Sequence, residues 1–382
     1  MFLAIFLLLG YAILLLFYSW AWKTMPIYAP PSTQALPKQQ VAVIIPARNE
    51  AAHIEQCLNG IARQDFPAEQ LQIIVVDDHS TDSTAAIVRQ WTKQQPHLSV
   101  LLLYLADFVS PDETLNSYKK KAISLAIAHT TADIIVTTDA DCVPLSSRWL
   151  AKVLHFINEK KAVFVTSGVM VAPTNNFFSI FQALDLAGMM LTTGASLRYR
   201  LGDMCNGGNL AYLRSAFEAV DGFSGIDHLA SGDDMLLMGK MRHHFPTQIH
   251  FLKSYDTLVS TPAPVRWRDF VQQRIRWASK TSSYSQALLP FILLWVWCSN
   301  VALLIGSFWA MSTHYHLGAM AFCWTLKISA DAVYLNTACR FLGKTVWLRY
   351  FLPAQLLHVW YIGSVGILAN FKRYEWKGRR VH

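Results

Sequence analysis

Two carboxylates separated by one residue, Asp139-Ala140-Asp141, follow an apolar run at residues 134–136. Past the end of a strand they need not alternate, so both can face one cleft. Hard carboxylate oxygens suit Mg2+ or Mn2+, which take one or two protein carboxylates and complete their shell with substrate phosphates. A cation held there neutralises a departing diphosphate. The same pair also fits an ordinary turn, where Asp is common. Asp77-Asp78-His79-Ser80-Thr81-Asp82 closes a second apolar run. Acids in that place bind a ribose or a base edge, or cap the helix that follows. Pro46-Ala47-Arg48-Asn49-Glu50 closes a third run without G-x-G-x-x-G, so the dinucleotide fingerprint is absent and a single nucleotide suits the site better.

Two further groups lie later in the chain. Ser231-Gly232-Asp233-Asp234 precedes the apolar residues 235–238. A carboxylate at a helix start is a cap, or else a general base that must reach the hydroxyl proton it removes. Gln273-Arg274-Ile275-Arg276-Trp277 offers guanidinium groups that clamp phosphate and an indole face for a sugar or lipid. It also fits an amphipathic interfacial helix whose arginines snorkel to headgroups.

The elements that must position these residues form a regular series. Runs at 41–45, 73–76, 100–103 and 134–137 have the length and β-branching of buried parallel strands. Helical patterns alternate with them: Ile54, Leu58 and Ile61 share a face, 83–91 follows Asp82 or Ser80 as a cap, and 121–128 precedes the fourth strand. Strand and helix in this rhythm make a doubly wound α/β sheet, and ligands of such sheets sit beyond the carboxyl ends of the strands. The acids lie at those ends.

Of the 382 residues 53% are hydrophobic and only 15% charged, against about a quarter for soluble domains. Residues 2–22 carry no charge and are long enough to cross a bilayer, with Trp20, Trp22 and Lys23 at the interface. No basic region precedes them and no small-residue cleavage site follows, which argues against a cleaved signal peptide. Apolar blocks return at 287–311, at 317–338, where Lys327 and Asp331 lie four apart and can neutralise each other, and at 350–369. The chain therefore reads as an N-terminal anchor (1–23), a Pro-rich linker (24–40), a cytosolic α/β domain (41–280), a C-terminal membrane region (281–370) and a basic tail (371–382). The positive-inside rule places that tail in the cytosol, which requires one late segment to be interfacial or re-entrant. The net charge of +8 is topological rather than a sign of nucleic-acid binding, since zinc-finger spacing, an RNP pattern and a basic helix are all missing. The six cysteines form no C-x-x-C pair, as expected of reduced thiols in the cytosol.

In this order and spacing the motifs resemble those of family 2 glycosyltransferases of the GT-A fold, in the membrane-bound branch of ceramide and hopanoid glycosyltransferases and of cellulose, hyaluronan and poly-N-acetylglucosamine synthases. The similarity runs from about residue 41 to Trp277. It implies a nucleotide-diphospho-sugar transferase with N-terminal and C-terminal transmembrane helices. By that resemblance Pro46, Asn49, Glu50, Asp78, Lys121, Asp139 and Gly208 bind the donor, Lys121 through the K-A-x-x-L pattern at 121–125 and Gly208 through Asn206-Gly207-Gly208-Asn209. Asp141 ligates the metal, Mn2+ or Mg2+, together with Asp139. Asp234 is the base, and Asp233 stands where the family usually has Glu. Gln273, Arg274, Arg276 and Trp277 match Q-(Q/R)-x-R-W and hold diphosphate and acceptor. The tail Trp376-Lys377-Gly378-Arg379-Arg380 is similar to endings of lipid glycosyltransferases that fold back to the active site.

The expectation is an inverting glycosyltransferase in the plasma (inner) membrane. Family habit points to a uridine diphosphate sugar as donor, and the small number of spans favours a lipid acceptor taking one sugar over a processive polysaccharide synthase. A catalytically inactive membrane scaffold is the alternative from another class. A receiver-like signalling domain would use Asp77, Asp78 and Lys121 but leaves the later motifs unexplained.

Overall fold

The computed structural model describes residues 1–30, 35–110, 116–172, 175–229, 232–279, 288–371, 374–376 and 379–381. They form two compact units, each discontinuous in sequence. One comprises Ile27–Ala172, Met204–Pro262 and Glu375–His382; the other comprises Met1–Pro26, Pro173–Asp203 and Ala263–Tyr374.

The first unit is built on a seven-stranded sheet in the order β3-β2-β1-β4-β8-β6-β9. Its strands are β1 (Val41–Ala47), β2 (Leu71–Asp77), β3 (Ser99–Tyr104), β4 (Ile134–Thr137), β6 (Phe164–Ser167), β8 (Leu210–Leu213) and β9 (Ile249–Leu252). Helices α2 (Ile54–Ala62), α3 (Thr84–Gln94), α4 (Tyr118–Ala128), α5 (Trp149–Lys160), α7 (Arg214–Ala219) and α8 (Met235–His244) alternate with them. β1, β2, β3 and β4 are mutually parallel. Val41, Val43, Ile45, Ile73, Val75, Ile134 and Val136 are all buried in one core, and the intervening Ile44, Ile74 and Ile135 are equally buried. Burial of both sets is why these strands read as continuous apolar runs rather than alternating ones. β8 is antiparallel to β4 and β6, so the sheet as a whole is mixed. A second sheet, β5-β10-β7, is made of β5 (Val143–Pro144), β10 (Val259–Thr261) and β7 (Val169–Val171).

The four expected strands are present, but β1 runs through Pro46 to Ala47 instead of stopping at Ile45. Proline lacks the N–H that an interior strand needs. Here β4 pairs only with Val41 to Ile44, so beyond Ile44 the strand is bonded on the β2 side alone and tolerates it.

The second unit is helical: α1 (Phe2–Thr24), α6 (Phe177–Tyr199), α9 (Trp267–Ala278), α10 (Leu288–Thr313), α11 (Leu317–Leu342) and α12 (Phe351–Phe371). Among the described residues, four helical segments are long and apolar enough to cross a membrane: Phe2–Thr24, Phe177–Tyr199, Leu288–Thr313 and Thr345–Ala369. The sequence reading held residues 41–280 together. In the structure α6 and α9 leave the α/β unit and join the apolar helices. Asp185 on α6 pairs with the buried Arg274 of α9 at 2.6 Å. The tail contributes two short paired strands, β11 (Tyr374–Trp376) and β12 (Arg379–Val381), while Lys377 and Gly378 lie outside the described residues.

Lys327 and Asp331 on α11 do pair, at 2.5 Å, and both are buried. Tyr11 of α1 donates to Asp331 Oδ1 (2.6 Å), and Lys327 also donates to Gln355 Oε1 of α12 (3.1 Å). The pair thus ties three helices together. A buried ion pair that loses one partner leaves the other charge uncompensated, typically at about 3–5 kcal/mol. Asp331→Leu should lower the unfolding free energy in detergent by about that amount, and Lys327→Leu with Asp331→Leu should recover most of it. Denaturant titration of both variants checks this.

Candidate active site

The loops that follow β1 and β2 lie side by side and are stitched together by polar bonds. Asp78 N–H donates to Ala47 O (2.7 Å), and the Arg48 guanidinium donates to the carbonyls of Asp78 and His79 (2.9 and 3.1 Å). Asn49 accepts from Thr81 N–H through Oδ1 (2.8 Å), and Glu50 N–H donates to Thr84 Oγ1 (2.8 Å). Asn49 and His79 both have positive φ, 50° and 54°. Asn tolerates that left-handed conformation better than most residues, which helps explain its place at the first turn. Asp82 takes the capping role at α3: Oδ1 accepts from Thr84 N–H (3.0 Å) and Oδ2 from Ala51 N–H (3.1 Å). Asp78 is left with its buried carboxylate beside the His79 ring nitrogen, 2.9 Å away.

β4 ends at Thr137 and delivers Asp139 and Asp141. Thr138 Oγ1 donates to Gly208 O (2.9 Å), bringing the 206–209 turn against this strand end. The turn is anchored by Asn209, whose buried amide accepts from Trp149 Nε1 (3.1 Å) and donates to the carbonyls of Gly168 and Thr257 (2.9 and 2.8 Å). Both glycines are needed for close approach. A methyl on Gly208 would stand 2.9 Å from Cys142 Sγ and 3.5 Å from Asp139 Oδ2; one on Gly207 would stand 3.2 Å from Lys119 Nζ, 3.4 Å from Asp233 Oδ2 and 3.5 Å from Asp234 Oδ2. The DxD segment, the glycine turn and the start of α8 therefore meet within one pocket of the α/β unit.

Asp234 resolves its two readings by dividing its oxygens. Oδ1 caps α8, accepting from Met235 N–H at 2.7 Å, while Oδ2 faces the glycine turn. A cap and a base are compatible in one carboxylate.

Lys119 is the residue of this pocket that sequence reasoning missed. Its ammonium bridges Asp139 Oδ1 (2.7 Å) and Asp233 Oδ2 (2.8 Å). Burial opposes its charge, but the carboxylates of Asp139 and Asp233 outweigh that and hold its pKa above the ordinary lysine range. Lys119, Lys120 and Lys121 are consecutive on α4 and so point in three directions. Lys120 donates to Leu229 O (2.8 Å), fixing the loop ahead of α8, and Lys121 is half-buried on the same helix. Nothing in the spacing tells which of the three reaches the acids.

The oxygens of Asp139 and Asp141 and the Cys142 sulfur lie within 4.8 Å of one another. Burial pushes the Cys142 thiol up, and Asp141 and Asp139 push it further. The two carboxylates supply hard oxygen donors, which fit a divalent cation such as Mg2+ or Mn2+. Burial also raises the Cys57 thiol, followed by the fields of Asp141, Asp139 and Glu50, which places Glu50 near the same strand end.

Gln273, Arg274, Arg276 and Trp277 lie on α9 in the helical unit. Arg274 is committed there. It pairs with Asp185, donates to Gln273 Oε1 (3.1 Å) and stacks its guanidinium over Trp277 and Phe270 at 4.1 and 4.7 Å. A phosphate could take it only by displacing Asp185.

Comparison with known proteins points the same way. The family described as Glycosyl transferase family 2 matches residues 42–221. Glycosyltransferase AglE of Haloferax volcanii is 28% identical over 195 residues, 51% of this chain and 59% of that protein. Beta-monoglucosyldiacylglycerol synthase of Synechocystis is 25% identical over 267 residues, 67% of this chain and 51% of the relative. The chain thus spans only a little over half the length of these relatives. Mannosyltransferase PcManGT from Pyrobaculum calidifontis, solved with GDP-Man and Mn2+, superposes with a TM-score of 0.59 over 96% of this chain and 98% of its own, at 22% identity, and shares the fold.

Gly208→Ala should force the glycine turn away from β4, because Cys142 is buried and cannot move aside. The expected outcome is a lower melting temperature, by several degrees for a change of about 1–3 kcal/mol. Cys142→Ala in the same chain should restore part of it. A thermal-melt double-mutant cycle measures the coupling.

Proposed function

We propose that this chain, a member of glycosyltransferase family 2 with the GT-A fold, transfers a sugar from a nucleoside-diphosphate donor to a membrane-associated acceptor, with inversion at the anomeric carbon. The observation that carries the reading is the meeting of Asp139, Asp233, Asp234 and the Gly207-Gly208 turn, from three separate stretches of chain, with Asp141 beside Asp139. Scattered turn residues and caps would have no reason to share one pocket at the carboxyl end of β4.

Asp139 and Asp141 would hold Mn2+ or Mg2+, which supplies positive charge to the diphosphate. Asp234 Oδ2 takes the proton from the acceptor hydroxyl as that oxygen bonds to the anomeric carbon. The bond from that carbon to the diphosphate oxygen breaks, and the nucleoside diphosphate leaves with the electron pair. Glu50 and Asp78, with Asn49, form the nucleoside platform where the first two loops are stitched together, and Pro46 shapes its approach. Lys121 and Gly208 flank the donor; Gln273, Arg276 and Trp277 serve diphosphate and acceptor. A uridine nucleotide is the donor proposed from family habit.

The acceptor is proposed to be a lipid receiving a single sugar. The apolar helices support it, as does the relative whose name is that of a glucosyldiacylglycerol synthase. The setting proposed is the plasma (inner) membrane with the α/β unit in the cytosol, where nucleotide sugars are made.

Asp234→Asn should abolish transfer, by at least about 100-fold, while donor nucleotide binding persists. Parallel turnover assays and nucleotide titrations decide it, and full turnover in the variant would remove Asp234 as base. Incubation with labelled donor should give one organic-phase product; a ladder of sizes would show polymerisation instead.

A further inference from the structure

Lys119 has no part in the chemistry described above, yet it occupies the centre of the acidic cluster. Its Nζ lies 2.7 Å from Asp139 Oδ1 and 2.8 Å from Asp233 Oδ2, and Asp234 Oδ2 lies on the same side of Gly207, 3.5 Å from the point where a Cβ on that glycine would stand. Asp139 is also one of the two carboxylates offered to a divalent cation. One oxygen acid is therefore shared between a fixed ammonium and the metal position.

We propose that Lys119 is a charge gate on the metal site: it neutralises Asp139 and Asp233 while the site is empty and makes tight divalent-cation binding conditional on a nucleoside diphosphate. The inference rests on the donor reading above and goes beyond it. The physical basis is competition. Two cations sharing Asp139 repel each other across a few ångströms, a distance at which unit charges in a protein interact strongly. A diphosphate brings negative charge that offsets this repulsion and gives the ammonium a new partner. Metal and nucleotide then bind cooperatively, and the coupling is reciprocal. Asp233 fits the same device. It holds the second arm of the bridge, which keeps Lys119 positioned when Asp139 turns to the metal.

Free Mn2+ in solution, measured by electron paramagnetic resonance on the full-length chain in detergent, reads this directly. Wild type should bind Mn2+ weakly alone and about tenfold or more tightly with uridine or guanosine diphosphate present. Lys119→Met should bind Mn2+ alone about tenfold more tightly than wild type and lose most of the enhancement by the diphosphate. Lys119→Arg, which keeps the charge, should behave like wild type. A second measurement guards against a folding defect: Mn2+ alone should raise the melting temperature of Lys119→Met, or of Lys119→Gln, more than that of wild type. Equal Mn2+ affinity and equal enhancement in wild type and Lys119→Met would overturn the gate while leaving the donor reading intact. No Mn2+ binding by any of the chains even with diphosphate would instead overturn the donor reading on which it rests.

Discussion

Concentrating carboxylates at one end of a sheet is costly unless something opposes their charge. Two unit charges 4 Å apart interact by about 4 kcal/mol at the effective dielectric of a protein surface. Asp139, Asp141, Asp233 and Asp234 share a pocket in which the Lys119 ammonium bridges two of them. In the glycine turn, a Cβ at Gly208 would meet Cys142 Sγ at 2.9 Å, and at Gly207 it would crowd Lys119 Nζ at 3.2 Å. The buried Asn209 amide, in turn, holds that turn in place. Backbone geometry around the site thus follows from where the charges must stand.

The helical unit obeys the same rule in a drier setting. Two of its charge pairs are Lys327 with Asp331 and Arg274 with Asp185, and each pair joins different helices or draws on a residue from another helix. Burial of an isolated charge is prohibitive, so the pairing also fixes which helix faces meet. Arg274 shows how this overrides a motif. A residue that phosphate recognition could use is held by Asp185, Gln273, Phe270 and Trp277.

Hydrogen bonds between loops do for the ends of β1 and β2 what charge does for the end of β4. Arg48, Asn49, Glu50 and Ala51 bond to residues 78–84 through main chain and side chain alike. Asp82 is absorbed as a cap, which leaves Asp78 and Glu50 at the edge of the platform.

The four strands of the first half, the positions of the acids at strand ends and the apolar segments at 2–22 and 287–311 were legible in the sequence, because burial writes itself as local apolar periodicity. The residues at 139–141, 206–209 and 233–234, which meet in one pocket, were legible too, each as a local motif. What only tertiary structure decided is pairwise. Which of three consecutive lysines meets the acids depends on how α4 is rotated against the sheet. That α6 and α9 belong with the apolar helices depends on Asp185 meeting Arg274, 89 positions apart by their numbering. That Pro46 can sit inside β1 depends on how far β4 extends beside it. A sequence records each residue's own preference, whereas neutralisation and steric fit are properties of pairs brought together by folding.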